Sequence, residues 1–170
     1  ESDPRGFLSQ YQSGAIFDRS FNKRLIKSPK LYFFDAGLAA YLLGIREPEQ
    51  LRTHPLRGAL FETAIVSEYL KHEHNYRPRL RMSYWRERSG QEVDLIVETP
   101  SGLTPVEIKS GATISRDMLN GLRRWVQIAG AESTTPTLVY GGAQGQQRSD
   151  VTIRPWHKPL TFADEENAHV

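Results

Sequence analysis

Two short apolar runs of the chain carry acidic residues, and a tight turn separates them. The first run, EVDLIVE, contains Asp94, and the second, LTPVEIKS, contains Glu107 and Lys109. If TPSG at 99–102 forms a four-residue β-turn, the register places Asp94 directly opposite Glu107. Opposed Cβ atoms lie about 4.5 to 5.5 Å apart, and like charges there destabilise a sheet. The pattern therefore predicts a shared proton, a nearby cation or a divalent metal at this pair.

A lysine and a third acid extend the pair. Lys109 shares a face with Glu107, because alternate strand residues point the same way. Glu62 falls within the apolar stripe of a predicted helix, RGALFETAIVSEYLKH. Three acids and a lysine on one face suit Mg²⁺-dependent phosphodiester hydrolysis, in which the metal activates water and Lys109 positions it. The alternative is a buried ion-pair network with no ligand.

The elements that carry these residues alternate between helix and strand. Helices are predicted over AGLAAYLLG with Asp35 as cap, over 57–72, and from a Ser115 cap to 129, whereas REPEQLRTHP is predicted as a loop. Strands are predicted in five segments, RLRMSYWRER, EVDLIVE, LTPVEIKS, TPTLVYG and VTIRPW. This order predicts an α/β domain whose mixed central sheet contains an antiparallel three-strand meander and is flanked by helices.

The apolar residues of the first run predict its orientation. Val93, Leu95 and Val97 alternate with Asp94. We therefore expect these three residues, with Val106 and Ile108 of the second run, on one buried face of the sheet, and the charged face to line a cleft.

Composition limits the class of protein. A chain of 170 residues with 38% hydrophobic and 25% charged residues suits one soluble domain. Zero cysteines exclude disulfides and thiolate metal sites, so a metal needs oxygen or histidine ligands. With no long apolar run and no signal peptide, we expect a cytoplasmic protein without a membrane partner.

Basic residues mark two further candidate surfaces. The first would follow a phosphate backbone and stack a ring on a base, and it comprises Arg77, Arg79, Arg81 and Trp85. A solvated edge strand is the other interpretation of that segment. The second is a candidate contact for nucleic acid or a preceding module, or a solvated linker, and it comprises Lys23, Arg24, Lys27 and Lys30.

The chain has Asp94, then twelve residues, then EIK. This arrangement resembles the D…(D/E)xK signature of the restriction-endonuclease-like nuclease superfamily. The resemblance implies a core ordered helix, three-strand meander, helix and strand. It also implies a catalytic set of Asp94, Glu107, Lys109 and Glu62, with the Ile108 carbonyl as a further ligand of Mg²⁺ or Mn²⁺. Val93 stands where the superfamily signature, PD-(D/E)xK, has its proline.

Four longer blocks resemble a second, narrower family. These blocks are KRLIKSPKLYFFDAGLAAYLLGI, RGALFETAIVSEYL, YWRERSGQEVDLIVE and VEIKSG. They resemble the uncharacterised C-terminal domain found behind AAA-type P-loop ATPase modules in prokaryotic ATP-binding proteins. The resemblance covers about residues 21 to 130 and implies an ATPase module and a small connector ahead of this domain.

The organisation expected from that resemblance has three parts. We expect a linker or connector remnant at 1–28, a nuclease-like domain at 29–163 and a flexible tail at 164–170. Because the chain begins at Glu1 and lacks G-x-x-x-x-G-K-[ST], we expect the C-terminal part of a longer protein, without an ATP site of its own.

The sequence thus predicts a Mg²⁺-dependent nuclease domain acting on nucleic acid. The alternative is a non-catalytic domain of the same fold that binds nucleic acid or a partner and regulates the ATPase. DNA, RNA and structured junctions are all compatible substrates, and no oligomeric state is predicted.

Overall fold

The computed structural model describes residues 30–76, 81–87 and 89–158. The linker and tail predicted at 1–28 and 164–170 lie outside the described residues. The helices are α1 Ala36–Leu42, α2 Pro48–Thr53, α3 Arg57–Tyr76 and α4 Asn120–Ala129. The strands are β1 Arg81–Arg86, β2 Glu92–Thr99, β3 Gly102–Lys109, β4 Thr137–Tyr140, β5 Gln146–Gln147 and β6 Thr152–Pro155.

One mixed sheet of six strands carries the domain, in the order β1-β2-β3-β4-β6-β5. Strands β1 to β3 form an antiparallel meander. β4 lies parallel to β3 and to β6, and β5 closes the edge antiparallel to β6. Because parallel neighbours need a crossover connection, α4 links β3 to β4 across one face. The predicted mixed α/β class with a three-strand meander is confirmed.

The register of the β2–β3 hairpin follows from its turn. Thr99 pairs with Gly102, and the pairing continues to Leu95 opposite Val106. Gly102 has a φ of 131°, a conformation open mainly to glycine. The Thr99 hydroxyl donates to the Gly102 carbonyl at 3.0 Å. The tight turn thus fixes the predicted register as far as Leu95 and Val106, where the pairing ends.

Helices cover both faces of the sheet. The cluster under α3 includes Ile65, Val66, Tyr69, Leu95, Val97, Val106 and Ile108. The cluster under α4 includes Leu122, Trp125, Val93, Ile96, Leu138 and Ile153. The prediction that Val93 shares a face with Leu95 and Val97 is therefore wrong. None of the described helices has the length and apolar character needed to cross a bilayer.

A β-bulge explains this change of face. Between Ser83 and Trp85, β1 advances by two residues while the paired part of β2 advances by three, so Asp94 and Leu95 both lie opposite Tyr84. A bulge interrupts the alternation of side chains, and such bulges often redirect a functional side chain. Here the bulge lies at Asp94 itself.

Candidate functional site

Five side chains of alternating charge contact one another beside the bulge. We call them the ion-pair chain, and they are Glu62, Lys30, Asp94, Lys109 and Glu107. Lys30 Nζ lies 3.0 Å from Glu62 Oε1 and 3.0 Å from Asp94 Oδ1. Lys109 Nζ lies 3.6 Å from Asp94 Oδ2 and contacts Glu107 Oε1. The structure thus brings together the three predicted acids and Lys109, and it adds Lys30.

Asp94 lies where the pairing of β2 with β3 stops. The paired residues end at Leu95 and Val106, and beyond them the Ile108 amide donates to Asp94 Oδ2 at 3.0 Å. The side chain therefore takes a backbone hydrogen bond at the point where the ladder ends. Asp94 is only 3% exposed, and this contact together with the two lysines compensates the burial of its charge.

Glu107 has one carboxylate oxygen that the described residues leave without a donor. The side chain is buried, Oε1 contacts Lys109, and Oε2 has no hydrogen-bond partner among the described groups. Buried oxygens of this kind are uncommon, because an unmade hydrogen bond costs about 1–3 kcal/mol or more for a charged group. The atom is therefore suited to accept a ligand, such as a cation or a water held by one.

Burial and charge shift the pKa values of the site in different directions. Burial, reinforced by Asp94, raises the pKa of Glu107 to about 7, although Lys109 opposes the shift. Burial lowers the pKa of Lys109, but the attraction of Asp94 and Glu107 outweighs it, so the pKa is raised. Lys109 is therefore a cation at neutral pH, which suits it to orient an anion or a water rather than to accept a proton.

The raised pKa of Glu107 predicts a pH-dependent stability. The folded protein keeps the proton up to about pH 7, whereas a carboxyl group with the ordinary value of 4.5 releases it earlier in the unfolded chain. Between pH 4.5 and about pH 7, folding therefore takes up a proton at Glu107. The free energy of unfolding then falls as pH rises, by up to about 1.4 kcal/mol per pH unit. Glu107→Gln is expected to remove this slope in urea unfolding at pH 5, 6 and 7.

Glu98→Gln is the matched control for that experiment, because it removes an exposed carboxylate from the neighbouring strand. An equally large change of slope in Glu98→Gln would contradict the assignment to Glu107.

Glu62 reaches the site from α3. Arg57 in the first turn of this helix donates through Nη2 to the Ser110 carbonyl at 2.8 Å, which fixes the start of α3 against the end of β3. Tyr32 Oη donates to Glu62 Oε1, the same oxygen that accepts from Lys30. The Glu62 side chain is 22% exposed and lies at the border of the core. Its place in the apolar stripe of α3 thus directs it inward, as predicted.

The acids of the ion-pair chain include two candidate ligands for a small hard cation. Within 30–76, 81–87 and 89–158, no three His, Cys, Asp or Glu side chains lie together in a metal-binding arrangement. Mg²⁺ usually takes only one or two protein carboxylates and completes its shell with water. Asp94 and Glu107, with its unpartnered Oε2, supply such a pair. The metal-ligand roles predicted for Asp94, Glu107, Glu62 and the Ile108 carbonyl all stay predictions.

The predicted nucleic-acid surface is only partly described. Arg77 and Arg79 lie outside the described residues, and Arg81 is exposed at the start of β1. Trp85 is 6% exposed and packs edge to face on Trp125, with ring centroids 5.8 Å apart. Since a buried indole has no face open to a base, the expected stacking role of Trp85 is wrong.

Comparison with known proteins assigns the chain to a family. Residues 57–158, more than half of the chain, match the family described as domain of unknown function DUF4143. The chain belongs to this family. The DUF4143 match contains Glu62, Asp94, Glu107 and Lys109, whereas Lys30 lies before it.

Two curated mycobacterial relatives match part of the chain. Uncharacterized protein Rv2008c of Mycobacterium tuberculosis and Uncharacterized protein Mb2031c of Mycobacterium bovis are each 37% identical over 105 residues, or 61% of this chain. The matched region spans 23% of the length of either relative. No solved structure matches the chain significantly.

Proposed function

We propose that this DUF4143 domain is a Mg²⁺-dependent nuclease that hydrolyses phosphodiesters of nucleic acid, with a restriction-endonuclease-like core. The observation that carries the proposal is the Glu107 carboxylate, which is 5% exposed, has an oxygen without a described donor, and lies in one ion-pair chain with Asp94. A buried carboxylate kept in this state is costly, and a bound cation would offset the cost.

Each side chain of the site has a definite task in this proposal. Asp94 and Glu107 would hold the ion, and the Ile108 amide fixes the Asp94 carboxylate in place. Lys109 stays protonated and orients the attacking water or a phosphate oxygen. A bound Mg²⁺ would neutralise the phosphate charge and lower the pKa of a water molecule.

The topology supports the assignment to that superfamily. α3, the β1–β3 meander, α4 and the parallel strand β4 follow one another in the core order that the D…(D/E)xK resemblance implies. The greater length of the relatives also leaves room for the expected ATPase module, because this region makes up 23% of either one. We propose that the domain works as part of such a longer protein.

One observation favours the alternative of a non-catalytic interaction domain. The Lys30 and Lys109 ammonium groups already neutralise much of the acidic charge without any ligand. A network of this kind can serve folding specificity alone. The two functions differ in whether the domain binds metal and cleaves nucleic acid.

The test of the proposal is cleavage of single- and double-stranded DNA and RNA with Mg²⁺ or Mn²⁺. We expect the wild-type chain to cleave at least one substrate, and Lys109→Met to lose about 10²- to 10³-fold in rate, as when one preorganised charge-stabilising group is removed. Lys71→Met removes an exposed lysine of α3 that pairs with Glu68, and it should leave the rate unchanged. Metal-dependent cleavage that survives Lys109→Met, or no cleavage by the wild type, would contradict the proposal.

A further inference from the structure

We infer that Lys30 is a built-in cation of the candidate site, which takes the place of a second metal ion between Glu62 and Asp94. This inference rests on the proposed function, and it concerns a residue that the resemblance does not assign to the site. Its consequence is that the wild-type chain binds a single divalent ion, at Asp94 and Glu107.

Lys30 contacts one of the two carboxylate oxygens of Asp94. Its ammonium group lies 3.0 Å from Asp94 Oδ1 and equally far from Glu62 Oε1, which is the bridging position that a cation shared by two carboxylates would take. Asp94 Oδ2 faces the other way, toward Lys109 and the Ile108 amide. The two oxygens of Asp94 thus have different partners: Oδ1 contacts Lys30, whereas Oδ2 lies near Lys109, which also contacts Glu107.

The neighbours of Lys30 hold it in this position. Tyr32, two residues further on, donates to the same Glu62 oxygen, so this segment is attached to α3 at two points. The ammonium group also lies 5.7 Å from the centroid of the Tyr84 ring, within the range of a cation–π contact. The Lys30 side chain is 22% exposed and is therefore part of the packed site rather than of a solvated linker.

An ammonium group has three hydrogens, and Glu62 and Asp94 take two of them. The remaining hydrogen can be donated to an oxygen of a bound phosphate. Lys30 is thereby a positioning residue for the acids and a counter-charge for an anionic substrate, two tasks that a second metal ion would otherwise perform.

Calorimetric titration of Mn²⁺ alone tests the inference without relying on activity. We expect one ion per chain for the wild type, two for Lys30→Met, and one again for Lys30→Met combined with Glu62→Gln. Lys71→Met, which removes the same charge from the exposed face of α3, should bind one ion. Thermal unfolding of each variant, with and without Mn²⁺, establishes that it is folded.

Glu62→Gln alone decides the question if Lys30→Met does not fold. If Lys30 fills the position between Glu62 and Asp94, Glu62→Gln keeps one ion, with an affinity within about threefold of the wild type. Two ions in the wild type, one in folded Lys30→Met, or loss of the ion in Glu62→Gln would overturn the inference and leave the proposed nuclease intact. No Mn²⁺ bound by the wild type would overturn both.

Discussion

Asp94→Asn is expected to weaken Mn²⁺ binding by at least about 100-fold and to abolish cleavage. Asp94 is the one acid that contacts both lysines of the ion-pair chain, and it is 3% exposed. A neutral amide there removes a proposed metal ligand and leaves Lys30 and Lys109 with less compensating charge. Since breaking a buried pair costs about 3–5 kcal/mol, the variant should also unfold at a lower temperature.

For Asp94→Asn, Mn²⁺ calorimetry measures the loss of metal binding, and thermal unfolding of the same preparation measures the loss of stability. Asp150→Asn is the matched control, because Asp150 is exposed and lies 3.6 Å from Arg123 on the surface. It should bind Mn²⁺ as the wild type does. Folded Asp94→Asn that still binds Mn²⁺ with wild-type affinity would contradict the assignment of Asp94 as a ligand.

Gly121→Ala is expected to destabilise the fold by about 3 kcal/mol, at the upper end of the usual cost of overpacking. A Cβ on Gly121 would lie 2.1 Å from the Glu92 carbonyl oxygen and 3.6 Å from Glu107 Oε2. Because the first of these is a backbone atom of the central sheet, α4 itself must move away from β2. Urea denaturation measures the loss of stability.

Gly58→Ala, a change on α3, is expected to have the opposite effect on stability. A Cβ at Gly58 meets no described atom within 4 Å, and alanine favours a helix over glycine by about 0.5–1 kcal/mol. This variant should be slightly more stable than the wild type. If Gly121→Ala were equally well tolerated, the close approach of α4 to β2 would be wrong.

The parts of the site that local rules govern were predictable. The TPSG turn set the β2–β3 register from Thr99 opposite Gly102 to Leu95 opposite Val106, whereas the pairing of Asp94 with Glu107 stays a prediction. Helical periodicity pointed Glu62 inward, where it contacts Lys30. Asp35 caps α1 as predicted, since its carboxylate accepts from the Leu38 amide at 3.0 Å.

The missed features depend on long-range packing or on an overlooked cap. The bulge at Asp94 arises from pairing with β1, so the β2 sequence alone does not specify it. Lys30 meets partners 32 and 64 residues away, so no local pattern relates it to the site. Helix α2 lies in the segment predicted as a loop. Its start was recognisable in the sequence, because Glu47 and Gln50 form a capping box around Pro48.

The most direct test of a metal site at Asp94 and Glu107 is the anomalous diffraction of crystals grown with Mn²⁺. We expect one peak per chain, about 2.0–2.3 Å from an oxygen of each carboxylate, with Lys30 still between Glu62 and Asp94. Crystals at millimolar Mn²⁺ with no peak at these residues, and with the ion-pair chain intact, would contradict the metal site and favour the non-catalytic interaction domain.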